Sequence, residues 1–172
     1  MNVNTRKSRH SLVSLFPLLL PLLLGGPAPG RAEEPRANQV VIQRLIGDLK
    51  QNDWIIQASA LKVLGEMKAV EAASPILEII QSASNDWIRA QALVAMARIR
   101  PEAVKSRAGA LLKHSDVEVR ILALRALELS RDPAGLPMAR TASDDANYRV
   151  RWAALAVRAA IEHGAAWAGI AP

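Results

Sequence analysis

Four segments of the chain repeat one pattern, and this repetition constrains the fold more than any other feature of the sequence. In each segment, a polar residue suited to the start of a helix is followed four positions later by Arg or Gln, and then by a stripe of Ala and Leu. The aligned positions, 31 or 32 residues apart, are Gln57, Arg89, Arg120 and Arg151. A fixed period in this range is typical of solenoid proteins, whose units bury their apolar faces only by stacking on their neighbours.

Each unit predicts two helices joined by a tight turn. The second helices are predicted at about 54–67, 86–99, 117–129 and 148–162, each after an Asp or Asn that suits an N-cap. The first helices are predicted from Val40 onward, at 71–81, from Pro101 onward and, as a short helix, near 136–141. Ala and Leu are strong helix formers, and the alternating pattern of strands is missing from the sequence. The predicted fold class is therefore all-α.

The third segment carries the clearest family motif. Asp116-Val-Glu-Val-Arg-Ile-Leu-Ala-Leu-Arg-Ala-Leu127 resembles the HEAT repeat, in the short form called HEAT-like or PBS-lyase repeats, and departs from it at Glu128, where Gly is usual. The last segment is the weakest, with Val157 and Arg158 where Ala and Leu belong. The resemblance covers residues 40–163. It implies a right-handed, armadillo-like α-solenoid of about four helix-turn-helix repeats, whose second helices line a concave face.

This resemblance implies a binding function without naming the ligand, because such repeats serve many unrelated partners. We expect a non-enzymatic scaffold or adaptor that binds a protein partner on its concave face. Some relatives of these repeats attach chromophores or mature enzymes, so an accessory or maturation factor for an enzyme or chromophore protein is the alternative. A third possibility is a scaffold that acts through end-to-end contact of its terminal repeats.

The first 32 residues have the features of a secretory signal peptide. A basic start precedes an apolar run from Leu12 to Leu24, and Gly30 and Ala32 are small residues suited to flank a cleavage point. The run is shorter than the ~20 apolar residues that span a bilayer, although an uncleaved anchor is the alternative. We therefore expect a periplasmic or secreted protein with no membrane attachment in its mature form. The predicted organisation is a signal peptide at 1–32, a linker at 33–39, the repeat domain at 40–163 and a tail at 164–172.

Charge argues against a nucleic-acid partner. The formal net charge of the chain is +6, but residues 1–32 hold four of the 22 basic residues and none of the 16 acidic ones. Without that segment the net charge is about +2, so the basic character belongs mainly to the predicted signal peptide. The chain also has no Cys, which excludes disulfides, thiolate metal sites and a lipoprotein anchor.

The sequence predicts no enzyme, no cofactor and no metal site. It contains no Gly-x-Ser-x-Gly motif and no Gly-rich phosphate loop. His114 and His163 each lack a second ligand at metal spacing, and His114 is interpreted as a solvent-facing residue at the end of a helix. The adjacent carboxylates Asp144 and Asp145 are explained by capping and solvation of a polar turn.

The best candidates for partner contact are the aromatic residues near the starts of the second helices. They are Trp54, Trp87, Tyr148 and Trp152. Trp and Tyr are frequent in binding hot spots, and these four could cluster along one edge of the concave face. The alternative is that they fill space between repeats.

Two further candidates, Lys62 and Arg125, share one repeat position and would present charge to a partner. Their alternative role is an ion pair within the helix, with Glu66 and Glu128 respectively. The recurring Asp and Arg are expected to be structural, with Asp capping a helix and Arg reaching a neighbouring turn. The alternative for these Arg residues is a row of charges for an acidic ligand.

Overall fold

The described part of the chain is entirely helical. A computed structural model describes residues 33–168, with side chains described for 38–164, and contains no strand in that range. The α-helices are α1 (Glu33–Asp48), α2 (Trp54–Glu66), α3 (Ala73–Ser82), α4 (Asp86–Ile99), α5 (Lys105–Leu111), α6 (Val117–Ser130), α7 (Leu136–Ala142) and α8 (Tyr148–Ala168). Short 3₁₀ turns precede α3, α5 and α7, at Val70–Ala72, Pro101–Ala103 and Pro133–Gly135. The predicted all-α class is confirmed.

The helices pack in a simple order along the chain. The even-numbered helices α2, α4, α6 and α8 lie side by side in sequence order, and α3, α5 and α7 each pack against the even-numbered helix that follows. The core between them is built from the predicted Ala and Leu stripe, with Leu64, Leu93 and Leu124 fully buried. The described residues from Gln39 onward form one compact unit.

The predicted helix caps are confirmed. Asp53 Oδ1 accepts from the backbone N–H groups of Ile55 at 2.8 Å and Ile56 at 3.4 Å. The equivalent oxygens of Asn85, Asp116 and Asn147 each accept from the N–H two residues on, at 2.9, 2.8 and 2.9 Å. These bonds satisfy donors that the first turn of a helix leaves without an intrahelical partner. The recurring Asp or Asn therefore fixes where each even-numbered helix begins.

The ends of the described chain differ from the predictions. Helix α1 begins at Glu33, within the segment predicted to be a linker, because acidic residues and an early Pro suit the first turn of a helix. Helix α8 continues to Ala168, through part of the segment predicted to be a tail, because Ala-rich sequence sustains a helix. The predicted signal peptide and residues 169–172 lie outside the described residues.

The short helix of the fourth unit forms at its predicted place, as α7. Asp132 Oδ1 accepts from the Ala134 N–H at 2.9 Å and starts the 3₁₀ turn, and the turn leads into α7. None of the described helices combines the length and apolarity needed to cross a membrane.

Candidate partner-binding site

Two of the recurring Arg residues, Arg120 and Arg151, lie in the first turns of α6 and α8 and donate hydrogen bonds to the turns that precede those helices. Arg120 donates from Nε and Nη2 to the Asp145 carboxylate at 2.9 and 3.0 Å, and from Nη1 to the carbonyls of His114 and Ser115, both at 2.9 Å. Arg151 Nη1 likewise donates to the Asp145 carbonyl at 2.9 Å. The predicted reach to a neighbouring turn is confirmed for Arg120, whose guanidinium is therefore occupied within the fold.

Asp145 has a larger structural role than the sequence indicated. Its side chain and that of Arg120 are mostly buried, and its Oδ1 also accepts from the Asn147 N–H at 2.8 Å. The hydrogen bond from Arg120, followed by the one from Asn147, lowers the pKa of the Asp145 carboxyl below its usual range. Asp145 was predicted only to cap and solvate its own polar turn. In the structure its carboxylate also joins that turn to Arg120 at the start of α6.

His114, predicted to face solvent, has hydrogen bonds to both nitrogens of its ring. Its Nδ1 accepts from the Asp116 N–H at 3.0 Å, which leaves Nε2 to donate to Asp86 Oδ2 at 2.9 Å. The other oxygen of Asp86 lies 2.5 Å from Arg89 Nη2. Both imidazole nitrogens therefore make hydrogen bonds, and the bond from Nε2 ties the turn before α6 to the start of α4.

The described residues give no cluster of three or more His, Asp or Glu side chains that would hold a metal ion. Ser59 and Lys62 have the Ser-x-x-Lys spacing of some acyl-transfer enzymes, a pair missing from the sequence-based candidates. Ser59 Oγ donates to the Ile55 carbonyl at 2.9 Å, one turn back along α2. That bond is the usual way in which a helix accommodates Ser, and it directs the hydroxyl proton away from Lys62.

Two of the four candidate aromatic residues are in contact. The rings of Trp54 and Trp87 meet edge to face, with centroids 5.6 Å apart and planes at 89°. Trp54 is 54% exposed, whereas Trp87 is half-buried and packs against the core. Trp87 also lines a groove of about 260 Å³ between α2 and α4, together with Lys62, Gln91 and Arg98.

The other two aromatic residues lie on the last described helix. Tyr148 and Trp152 are one turn apart on α8, and they are 61% and 69% exposed. On α6 and α8 the residues equivalent to Trp87 are Glu118 and Arg149, which form an ion pair between the two helices. The hydrogen bond from Arg149 to the Glu118 carboxylate raises the pKa of the Arg149 guanidinium above its usual value. The expected single edge of four aromatic residues is therefore interrupted by a pair of charges.

The two equivalent cations differ in their surroundings. Arg125 Nη1 donates to Glu128 Oε2 at 2.6 Å, as predicted for an ion pair within the helix. Lys62 makes no ion pair with a carboxylate of the described residues, so the predicted Lys62–Glu66 pair does not form. Lys62 instead lines the groove beside Trp87.

Another set of cations recurs at the same period and was missing from the sequence-based candidates. Lys68, Arg100 and Arg131 occupy equivalent positions just beyond the ends of α2, α4 and α6. The repeat that identified Gln57 and its equivalents also contained these residues. Their signal in the sequence is the same period of 31 or 32 residues, extended past the Ala-Leu stripe into the loop that follows.

The chain matches no model of a known protein family, and no curated protein is significantly similar to it.

Proposed function

We propose that the chain is an exported, non-enzymatic HEAT-like repeat protein that binds a protein partner as a scaffold or adaptor. In this proposal the helix pairs α1/α2, α3/α4, α5/α6 and α7/α8 are four repeats of a right-handed solenoid. The side-by-side packing of the even-numbered helices supports that arrangement, since each helix buries its Ala-Leu stripe only against its neighbours. The partner binds on the surface that these helices share.

The observation that carries this proposal is the exposure of large aromatic side chains on a chain with few of them. Trp54, Tyr148 and Trp152 are each more than half exposed, although aromatic residues make up only 3% of the sequence. Exposed aromatic residues favour a binding surface, because their apolar surface is removed from water when a partner covers it. Lys62, which lines the groove beside Trp87, and Arg125, which is paired with Glu128, are the charged residues proposed for the same contact.

Affinity capture from the compartment to which the protein is exported tests the proposal. Trp54→Ala and Trp152→Ala remove exposed aromatic residues, while Val70→Ala removes an exposed apolar residue that lies outside the even-numbered helices and serves as the matched control. We expect the two tryptophan variants to lose a captured protein that the wild type and Val70→Ala retain. Capture of the same proteins at the same yield by all four chains would falsify the aromatic site.

The end of the described chain favours a second candidate, a scaffold that associates end to end. Trp152 and Leu155 on α8 are 69% and 46% exposed, and Ala159 beyond them is also exposed. The equivalent residues of α4 (Ala90, Leu93 and Ala97) are buried. Positions that are covered inside the stack of helices are thus uncovered on α8, where a further helix would be accommodated.

Sedimentation of the purified protein across a range of concentrations tests this second candidate. Association that Trp152→Ala and Leu155→Ala abolish, and that Trp54→Ala leaves intact, would support contact through α8. A monomer at every concentration would exclude that mode, while leaving the capture experiment to decide on a separate partner.

Export is the remaining part of the proposal. It depends on the basic start and apolar run of residues 1–32 described above. Fractionation of cells that express the chain, with N-terminal sequencing of the exported form, would show whether cleavage falls near Ala32. Retention of the full chain in the membrane would favour the uncleaved anchor.

A further inference from the structure

Two of the three recurring cations hold an unusual backbone conformation. Lys68 and Arg131 both have φ of 51°, the left-handed region that a side chain disfavours and Gly adopts freely. Lys68 N–H donates to the Gly65 carbonyl at 3.1 Å and Ala69 N–H to the Leu64 carbonyl at 3.0 Å, the two bonds of a helix ending in which Gly is usual. A cation near the end of a helix complements its dipole, but that effect does not require the strained residue itself to carry the charge.

Both residues border a groove at the ends of the even-numbered helices. The groove has a volume of about 740 Å³ and contains residues of α2, α4, α6 and α8. Its cationic lining consists of Lys68, Arg98, Arg125 and Arg131. Between the cations lie apolar side chains, among them Leu129 and Ala160, and the carboxylates Glu66 and Glu128.

Most of these cations are not neutralised by the fold. Arg125 is paired with Glu128, but Lys68, Arg98 and Arg131 form no ion pair with any carboxylate of the described residues. By contrast, Arg120 and Arg151 donate to carbonyls of the preceding turns, and Arg89 is paired with Asp86. An acidic ligand would therefore find cations in this groove that the described residues leave unpaired. The recurring Arg89, Arg120 and Arg151, which were the alternative site for such a ligand, are already bonded within the fold.

We propose that this groove binds an extended acidic peptide segment of the partner. The assignment rests on the proposed partner-binding function and defines the chemistry of the segment that is bound. Packed helices lie about 8–10 Å apart, and an extended chain rises about 3.3 Å per residue. A carboxylate at about every third residue would therefore meet the cations on successive helices in turn.

The mixed lining favours a peptide over a uniform polyanion. Glu66 and Glu128 lie between the cations and would repel a ligand that carries charge at every unit, such as polyphosphate. Leu129 and Ala160 give apolar side chains of a peptide a surface to cover. The segment that fits has acidic residues separated by small polar and apolar ones.

The strained backbone allows a variant that removes charge without weakening the fold. Lys68→Gly with Arg131→Gly deletes two cations and places the preferred residue at both left-handed positions. We expect its midpoint of thermal unfolding to equal or exceed that of the wild type by a few degrees. Lys113→Gln with Arg140→Gln is the matched control, because it deletes two exposed cations from the ends of odd-numbered helices. Arg98→Gln tests the middle of the groove with no change in backbone preference.

Fluorescence anisotropy of the purified full-length chain at low ionic strength tests the assignment, with a labelled peptide that repeats Asp-Ser-Leu four times. We expect binding that weakens about tenfold in the double Gly variant, as for the loss of two ion pairs, and severalfold in Arg98→Gln, with no change in the control. The peptide with Lys in place of Asp should not bind.

Three results would overturn the assignment. One is equal weakening by the control pair, which would mean that net charge alone attracts the peptide. Another is polyphosphate that binds as tightly as the peptide and depends on the same residues, which would define a general anion site. The third is the absence of peptide binding while Trp54→Ala and Trp152→Ala still change capture, in which case the partner-binding function stands without this groove.

Discussion

Arg120 and Asp145 are 25 residues apart in sequence, and two hydrogen bonds of 2.9 and 3.0 Å join the start of α6 to the turn before α8. The same guanidinium also donates to two carbonyls of the turn before α6. A planar guanidinium suits this task because its five N–H groups point in fixed directions, which a Lys ammonium does not offer. The pair therefore fixes how the turn before α8 is placed against the turn before α6.

A double-mutant cycle on this pair should reveal strong coupling. We expect Arg120→Ala to lower the free energy of unfolding by about 2–3 kcal/mol, since it removes a charged partner and leaves two carbonyls without donors. Asp145→Ala should cost about 1–2 kcal/mol, and the two changes together less than their sum. Urea unfolding of the four chains provides the measurement.

The exposed pair Arg125–Glu128 is the control for that cycle. It has similar chemistry at 2.6 Å but lies within one helix, where such pairs contribute only about 0.3–0.5 kcal/mol. Equal coupling energies for the two pairs would contradict the structural role assigned to Arg120.

The lowered pKa of Asp145 predicts a specific dependence of stability on pH. Because the folded state binds this proton more weakly than the unfolded chain does, the contribution of Asp145 is complete above the pKa of an unfolded Asp, about 3.9. It is lost as the pH falls through the lower pKa of the folded state. Unfolding free energies of the wild type and Asp145→Asn should therefore converge as the pH falls below about 4. Curves that stay parallel over that range would show that Arg120 does not hold Asp145 ionised.

The sequence predicts the helices and their caps well because both depend on local chemistry. An Asp or Asn placed before an Ala-Leu stripe specifies the start of a helix whatever its neighbours, and α4 begins and ends where the pattern placed it. The role of His114 was missed, because it depends on Asp86, 28 residues earlier, and no local pattern reports that contact. The sequence pattern likewise does not predict which of the aromatic side chains are exposed. Trp54 and Trp87 follow equivalent caps closely, yet one is exposed and the other half-buried.

Gly65 sets how closely α2 approaches α4. A Cβ built on it would lie 3.0 Å from Ala95 Cα and 3.3 Å from Ala95 Cβ, so the backbone of α4 at the buried Ala95 would have to shift by a few tenths of an ångström. We therefore expect Gly65→Ala to lower the free energy of unfolding by about 1–3 kcal/mol through overpacking, despite the better helix propensity of Ala. Thermal or urea unfolding would measure the change.

Gly47→Ala provides the matched comparison for that substitution. It makes the same change in α1, where a Cβ would meet nothing within 4 Å. The substitution then changes only the helix propensity, which favours Ala, and we expect the free energy of unfolding to rise by about 0.5–1 kcal/mol. If both substitutions stabilise the protein, the close approach of α2 and α4 is not what requires Gly65.

The tryptophan residues should separate into a structural one and two suited to binding. Trp87 is half-buried against the core, so Trp87→Ala should lower the free energy of unfolding by about 2–3 kcal/mol, less than a fully buried Trp would cost. Trp152 is 69% exposed, and its replacement by Ala should change stability by no more than about 0.5 kcal/mol. Trp54 should lie between them, because its replacement removes one edge-to-face contact with Trp87. Urea unfolding of the three variants would give this order. A large loss for Trp152→Ala would mean that its side chain is buried in solution, and that α8 already has a partner there.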